Sequence, residues 1–262
     1  MKLAVAGKGG VGKTTLTAWL GDYLARQGRS PWLVDADTAL SLGSALGLPA
    51  EALPTPLMKD EALIRERVGK GFINLNPDVS DLPDRLRVRL GDINLLVMGS
   101  VAGAGGGCAC EANALLKSLL AHLLLDRDQC LLVDLEAGVE HLGRGTVAAV
   151  DGLIVTAEPS WRSLSVAGQV ATMAAELGLT RQVLVLNRAQ SPITLPALAG
   201  LPPLAAIIPP LSSLADRQLT SPSVLHLPQQ DVVDRICRDI LSALETRLAP
   251  EAEEGVQPPS PR

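Results

Sequence analysis

The residues with the clearest chemistry form a glycine-rich run near the start of the chain, Gly7-Lys8-Gly9-Gly10-Val11-Gly12-Lys13-Thr14-Thr15. It follows an apolar run at 3–6, which reads as a buried strand, and precedes a segment with helical apolar spacing at 16–25. A strand, a turn matching G-x-x-x-x-G-K-[ST] and a helix together are typical of a phosphate-binding loop. Consecutive backbone N–H groups in such a loop point at phosphate oxygens, and the helix N-terminus adds partial positive charge.

The polar side chains of this loop have separate predicted roles. Lys13 would neutralise the β- and γ-phosphates, and the Thr14 hydroxyl would bind Mg²⁺. Thr15 could contact the α-phosphate. The pattern therefore predicts a site for a nucleoside triphosphate and magnesium.

Acidic residues follow two other apolar runs, at the ends of predicted strands. Asp35 and Asp37 come after the run at 31–34, and Asp134 comes after the run at 130–133. Ligands of doubly wound folds bind at the carboxyl ends of parallel strands, so these acids are expected near the phosphate loop. Asp134 fits a Walker B acid that holds magnesium through water. The segment 134–141, which includes Glu136, is a candidate for a loop that moves when the γ-phosphate is lost.

The elements that must position these residues alternate along the chain. We predict further strands at 71–75, 85–90, 93–98, 152–156, 183–187 and 205–210. We predict further helices at 59–68, 111–125, 163–177 and 230–248. This alternation favours an α/β fold with a mostly parallel, doubly wound sheet and helices on both faces. A single domain is expected over 1–248, followed by a disordered acidic and proline-rich tail over 249–262.

Composition limits the function classes. The chain has 262 residues, 47% of them apolar, a net charge of −5 and a pI near 5.3. This acidity offers no basic face for nucleic acid or for an anionic membrane surface. We expect a cytoplasmic protein, since no apolar run spans a bilayer and the start lacks the layout of a signal peptide.

A pair of cysteines, Cys108-Ala109-Cys110, follows a glycine-rich loop at 99–107. Two thiolates at this spacing supply half of a four-coordinate site for a soft metal ion. A two-fold symmetric dimer would complete the set, because it brings the same pair from each subunit. The alternative is that both are inert thiols in a glycine loop.

Lys8, a second lysine inside the phosphate loop, resembles the deviant Walker A class that includes MinD, ParA and the nitrogenase iron protein. The resemblance implies ATP and ADP as ligands, and a homodimer in which Lys8 reaches the partner's nucleotide. It also implies that Asp37 orients the attacking water and that Asp35 supports the magnesium shell. Asn187 would read the adenine edge, with Arg188 beside it, and the loop after Pro209 would close over the base.

The cysteine pair and the run over 134–145 resemble the CooC family of maturation ATPases, which assist nickel insertion into carbon monoxide dehydrogenase. This implies a homodimer that binds Ni²⁺ or Zn²⁺ through Cys108 and Cys110 of both subunits, with carbon monoxide dehydrogenase as its partner. The resemblance also implies a surface that reports the bound nucleotide to the metal site. Its residues would be Glu136, Glu140, His141 and Arg144.

Two other functions share the same phosphate loop. A positioning or partition ATPase of the MinD/ParA kind would need a basic amphipathic C-terminal helix or a basic surface, whereas this tail is acidic. An iron–sulfur ATP-dependent reductase would take its cysteines from separate loops. The chain has no cysteine between Asp134 and Arg235 to supply the second one.

Overall fold

The computed structural model describes residues 1–69, 74–99, 109–125, 130–136 and 150–246. It describes the side chains of all these residues except 109–113 and 124–125.

One sheet of eight strands runs through the described part of the chain. Its strands are β1 (Lys2–Ala6), β2 (Trp32–Ala36), β3 (Val88–Leu90), β4 (Ile93–Val97), β5 (Leu131–Leu135), β6 (Gly152–Ala157), β7 (Gln182–Asn187) and β8 (Leu204–Ile208). The spatial order is β3-β4-β2-β5-β1-β6-β7-β8. Every neighbouring pair is parallel except β3 with β4, which is antiparallel. The predicted mostly parallel, doubly wound sheet is therefore confirmed.

Helices cover both faces of this sheet. They are α1 (Lys13–Arg26), α2 (Leu42–Ala45), α3 (Glu61–Val68), α4 (Leu82–Leu86), α5 (Ala109–Leu125), α6 (Trp161–Glu176), α7 (Ser212–Gln218) and α8 (Gln230–Thr246). Short 3₁₀ turns lie at Ala50–Ala52 and Leu57–Lys59. None of the described helices is long and apolar enough to cross a membrane.

The central strands are buried on both faces, which explains their continuous apolar runs. Leu33 of β2 packs in the apolar cluster under α1 and α8, whereas its neighbour Val34 packs in the cluster under α3, α5 and α6. Successive side chains of a strand point to opposite faces, so each central strand contributes to both clusters. Such strands hold the loops at their ends on a rigid base.

Two predicted strands are wrong in detail. Arg85 and Leu86 belong to α4, and only Val88–Leu90 forms the edge strand that was expected over 85–90. Pro83 lies in the first turn of α4, where its fixed φ favours a helix start, so the local alternation was not a strand signal there. In the strand expected at 71–75, Asn74 and Leu75 lie in a loop with Leu75 75% exposed, and 71–73 lie outside the described residues.

The strand order places the candidate site. β1 lies between β5 and β6, with the strands β2 to β5 on one side of it and the strands β6 to β8 on the other. The carboxyl ends of the parallel strands lie along one edge, and a crevice forms where the strand order reverses. The phosphate loop after β1 therefore faces the segments that follow β2, β5 and β7.

Candidate nucleotide site

The phosphate loop has a backbone that favours glycine at two positions in particular. Gly7 has φ +144° and Gly12 has φ +99°. A Cβ on Gly7 would clash with the Thr156 carbonyl oxygen of β6, and one on Gly12 would clash with Nδ2 of Asn187. No atom lies within 4 Å of a Cβ built on Gly9. The loop is thus packed against two strands at its ends and open at its middle, as a phosphate cradle requires.

Lys13 begins α1 and is only 5% exposed. Its Nζ lies 3.8 Å from Oδ2 of Asp37, which follows β2. A buried ammonium group needs a nearby negative charge. Asp37 supplies that charge, and bound phosphates would compete for the same lysine.

Thr14, Ser41 and Asp134 form a cluster of oxygen atoms beside the loop. The Thr14 hydroxyl donates to Oδ2 of Asp134 at 2.6 Å, and the Ser41 hydroxyl donates to Thr14 Oγ1 at 3.3 Å. Asp134 is fully buried, and its Oδ1 accepts no hydrogen bond in the described part of the chain. Hydroxyl and carboxylate oxygens suit Mg²⁺. The cluster therefore fits magnesium, with Thr14 as ligand and Asp134 binding directly or through water.

Burial raises the pKa of two carboxyl groups in this cluster. Burial raises the pKa of Asp134 to about 7, although the Thr14 hydrogen bond opposes this shift. Burial also raises the pKa of Asp35 to about 6, against hydrogen bonds from the backbone of Leu42 and Asp37. A bound divalent cation would favour both ionised forms.

Asp35 positions the loop after β2. It is 0% exposed, and its Oδ1 accepts from the backbone N–H of Asp37 at 3.3 Å. Its Oδ2 accepts from the N–H of Leu42 at 3.0 Å, where α2 begins. Asp37 in turn accepts from the N–H of Ala39 through Oδ1 at 2.8 Å, which leaves Oδ2 facing Lys13. The predicted magnesium role of Asp35 stays a prediction.

A cleft of about 740 Å³ opens above the loop, large enough for a nucleotide. Its lining includes most of the predicted ligand-binding residues: Gly9, Gly10, Gly12, Lys13, Thr14, Thr15, Asp37, Glu136, Asn187, Arg188 and Pro209. Apolar side chains complete the far end: Trp19, Ile208, Leu211 and Leu214. A polar phosphate end and an apolar end match the two halves of a nucleotide.

Asn187, at the end of β7, contacts the phosphate loop directly. Its Nδ2 donates to the Val11 carbonyl oxygen at 2.7 Å, and its Oδ1 accepts from the N–H of Arg188 at 2.9 Å. The Arg188 side chain pairs with Glu158. Asn187 therefore anchors the loop, and its reading of adenine stays a prediction.

Other predicted residues lie apart from this cleft. Lys8 is exposed and is not among the residues that line the cleft. Cys110 lies in the first turn of α5, whereas Cys108, Glu140, His141 and Arg144 lie outside the described residues. Among the side chains that the structure describes, no cluster of three or more His, Cys, Asp or Glu could hold a metal ion.

Sequence reasoning missed several contributors to the site. Ser41 bonds Thr14, and the fully buried Trp19 lines the cleft while its Nε1 donates to the Val224 carbonyl oxygen at 2.8 Å. The helix α7 was not predicted, although Leu211 and Leu214 show its three-residue apolar spacing. Ser41 carries no signal of its own, since its role depends on the turn that Asp35 holds.

Comparison with known proteins agrees with this geometry. Residues 2–195 match the family model described as the CobQ/CobB/MinD/ParA nucleotide binding domain. The chain is 44% identical over 201 residues to the carbon monoxide dehydrogenase accessory protein CooC of Rhodospirillum rubrum, covering 74% of this chain and 76% of that protein. It is 38% identical over 197 residues to an uncharacterized ATP-binding protein of Methanocaldococcus jannaschii, covering 73% and 76% of the two chains.

A solved structure of the septum site-determining protein MinD, complexed with Mg-ADP, from Pyrococcus horikoshii shares the fold. Its TM-score is 0.64 at 19% identity, with 96% of this chain and 98% of that chain covered. At this identity the likeness supports the architecture, while the family match covers the phosphate loop and the acidic strand ends. The chain therefore belongs to the CobQ/CobB/MinD/ParA family of P-loop ATPases, and within that family it is similar to CooC.

Proposed function

We propose that this ATPase works as a nucleotide-dependent homodimer that carries nickel or zinc between its subunits and assists nickel insertion into carbon monoxide dehydrogenase. The observation that carries the proposal is the 44% identity to a carbon monoxide dehydrogenase accessory protein over 74% of the chain. Nickel is the ion that is delivered to the client enzyme, and ATP hydrolysis supplies the free energy for its insertion.

In the proposed hydrolysis, Lys13 and the loop N–H groups hold the phosphates, and Asp37 orients the attacking water. When Lys13 turns to the phosphates, Asp37 loses the counter-ion that it has at 3.8 Å and becomes free to accept a proton from water. Magnesium on Thr14 and Asp134 would neutralise charge on the phosphate oxygens. Asp35 keeps Asp37 in place through the backbone of its loop.

The exposed position of Lys8 supports a dimer across the nucleotide edge. Its side chain is free of the cleft in its own subunit, and a lysine on a glycine loop can extend toward a second copy. Two copies facing each other would each offer this ammonium group to the phosphates of the other. Dimerisation and nucleotide binding would then depend on each other.

The topology supports a link between the nucleotide and the cysteine pair. β4 and β5 are both parallel to β2, so the helix between them, α5, begins at the carboxyl edge of the sheet. Cys110 lies in the first turn of α5, on the same edge as the phosphate loop. A dimer formed across this edge would bring the cysteines of both subunits toward one axis, as a four-thiolate site requires.

Metal titration tests the proposal. With Mg²⁺ and a non-hydrolysable ATP analogue, we expect the full chain to bind about one Ni²⁺ or Zn²⁺ per two chains. A variant with Cys108→Ser and Cys110→Ser should lose this binding while hydrolysing ATP normally. Cys130→Ala is the matched control, because Cys130 is a buried thiol at the start of β5.

Unchanged metal affinity in the double serine variant would overturn the metal role and leave the ATPase assignment standing. The client is tested by adding Ni²⁺, ATP and the protein to nickel-free carbon monoxide dehydrogenase and following CO oxidation. We expect activity to appear faster with the wild type than with Lys13→Ala. Equal rates would remove carbon monoxide dehydrogenase as the partner.

A further inference from the structure

A hydrogen bond joins two loops that meet at the mouth of the nucleotide cleft. The Thr38 hydroxyl donates to Oε1 of Glu136 at 2.9 Å. Thr38 belongs to the loop after β2, and Glu136 is the first residue after β5. Among the hydrogen bonds of the described residues, this is the one that connects the loop over 37–41 with Glu136.

Thr38 also faces a second acceptor. Its hydroxyl lies 3.5 Å from Oδ1 of Asp37. A hydroxyl group has one proton, so it donates to one carboxylate at a time. The shorter distance indicates that Glu136 is the main acceptor of this proton, with Asp37 as the weaker alternative.

The charges around Glu136 explain why it needs a donor. Asp37 and Glu136 both line the cleft, and the buried Asp35 and Asp134 lie at the ends of the neighbouring strands β2 and β5. Like charges at this density repel each other. Lys13 is engaged with Asp37, and the other cleft cation, Arg188, is paired with Glu158. Neither of these two cations is paired with Glu136, and the Thr38 hydroxyl is the side-chain donor that it has among the described residues.

We propose that Thr38 is a positioning residue for ATP hydrolysis, whose hydroxyl proton couples Glu136 at the end of β5 to the loop that carries Asp37. A movement of Asp37 toward the γ-phosphate changes the position of Thr38 and therefore of Glu136. The inference rests on ATP hydrolysis and not on the metal role, so the two can fail separately.

Four variants of the full chain test this coupling, with ATP hydrolysis measured in the absence of nickel and zinc. Thr38→Val keeps the shape and removes the hydroxyl, and we expect kcat to fall about tenfold, as for a lost hydrogen bond to a charged group. KM for ATP and the Kd of ADP should stay within about twofold, since the Thr38 hydroxyl contacts Glu136 and Asp37 rather than Lys13 or Thr14 of the phosphate loop. Thr38→Ser keeps the hydroxyl and should recover most of kcat.

The third and fourth variants complete a double-mutant cycle. Glu136→Ala should lower kcat at least as much as Thr38→Val, and the double variant should fall no further than the slower single variant. Thr246→Val is the matched control, because it removes an exposed threonine hydroxyl that bonds only the Ser242 carbonyl oxygen of its own helix.

Three results would overturn the proposal. One is a Thr38→Val enzyme with wild-type kcat, and another is a Thr38→Ser enzyme as slow as Thr38→Val. The third is a double variant whose loss is the product of the two single losses, which would show that the residues act independently. The Kd of ADP for each variant confirms that a loss of kcat does not come from unfolding.

Discussion

The hydrogen bond from Asn187 to the phosphate loop makes a quantitative prediction about nucleotide binding. Asn187→Ala removes the donor that meets the Val11 carbonyl oxygen at 2.7 Å, in a residue that is 1% exposed. Leaving a buried acceptor without its partner costs about 1–3 kcal/mol. At about 2–4 °C per kcal/mol for a chain of this size, we expect Tm to fall by about 2–12 °C.

Nucleotide affinity should also fall when the hydrogen bond from Asn187 to the phosphate loop is removed. A loss of about 1.4 kcal/mol corresponds to a tenfold rise in Kd. Because the anchor supports the loop and not the base, ADP and GDP should weaken by the same factor in calorimetric titrations. Asn76→Ala is the control, since Asn76 is an exposed asparagine in a loop away from the cleft.

A second substitution checks the geometry behind this estimate. A Cβ on Gly12 would displace the same amide group of Asn187. Gly12→Ala should therefore cost less in the Asn187→Ala background than in the wild type, because the clash is gone while the positive φ remains. An Asn187→Ala protein with unchanged Tm, which loses only its preference for ADP over GDP, would refute the anchor and favour pure base reading.

Two further predictions concern the loop and the acids. Gly7→Ala should destabilise the fold by roughly 2 kcal/mol or more in urea titrations, because its Cβ would clash with the Thr156 carbonyl oxygen. Gly9→Ala should not destabilise it, since its Cβ would point into open space. Equal effects of the two substitutions would contradict the packing of the loop on β6. Burial raises the pKa of Asp134 to about 7, so the folded protein holds this proton more tightly than the unfolded chain does. The protonated carboxyl group therefore stabilises the fold fully below about pH 4, and this contribution is lost as the pH rises through 7. The Tm of the nucleotide-free protein should therefore fall from about pH 5 to pH 8 more steeply than that of Asp134→Asn, and equal slopes would show that Asp134 is not the titrating group.

Much of the fold was predictable because its signals are local. Continuous apolar runs identify central parallel strands, and Gly28, with φ +77° just after α1, is a local signal for the end of a helix. Prediction failed at 85–90, where a proline-initiated helix turn and a short edge strand together resemble one alternating strand. Edge strands are short and half-exposed, so their sequence carries little of the apolar signal that central strands have.

The phosphate loop and the acids after β2 and β5 were predictable as well, since glycines, a lysine and strand-end carboxylates have few other uses in that order. The residues that contact this loop and these acids were not predictable. Ser41 and Trp19 contribute to the site through contacts that no spacing in the chain encodes. The role of Asn187 as an anchor likewise depends on where β7 ends relative to the loop.

The sequence by itself determined the elements, the phosphate loop and the acidic strand ends, because each depends on neighbours within about ten residues. Only the tertiary structure decided which of them meet. Thr14 and Asp134 are 120 positions apart, Asn187 and Val11 are 176 apart, and Thr38 and Glu136 are 98 apart. The strand order brings each pair together: β5 lies between β1 and β2, and β7 lies next to β6, which is itself beside β1. That order results from how the crossover helices pack on the two faces of the sheet, which no local pattern specifies.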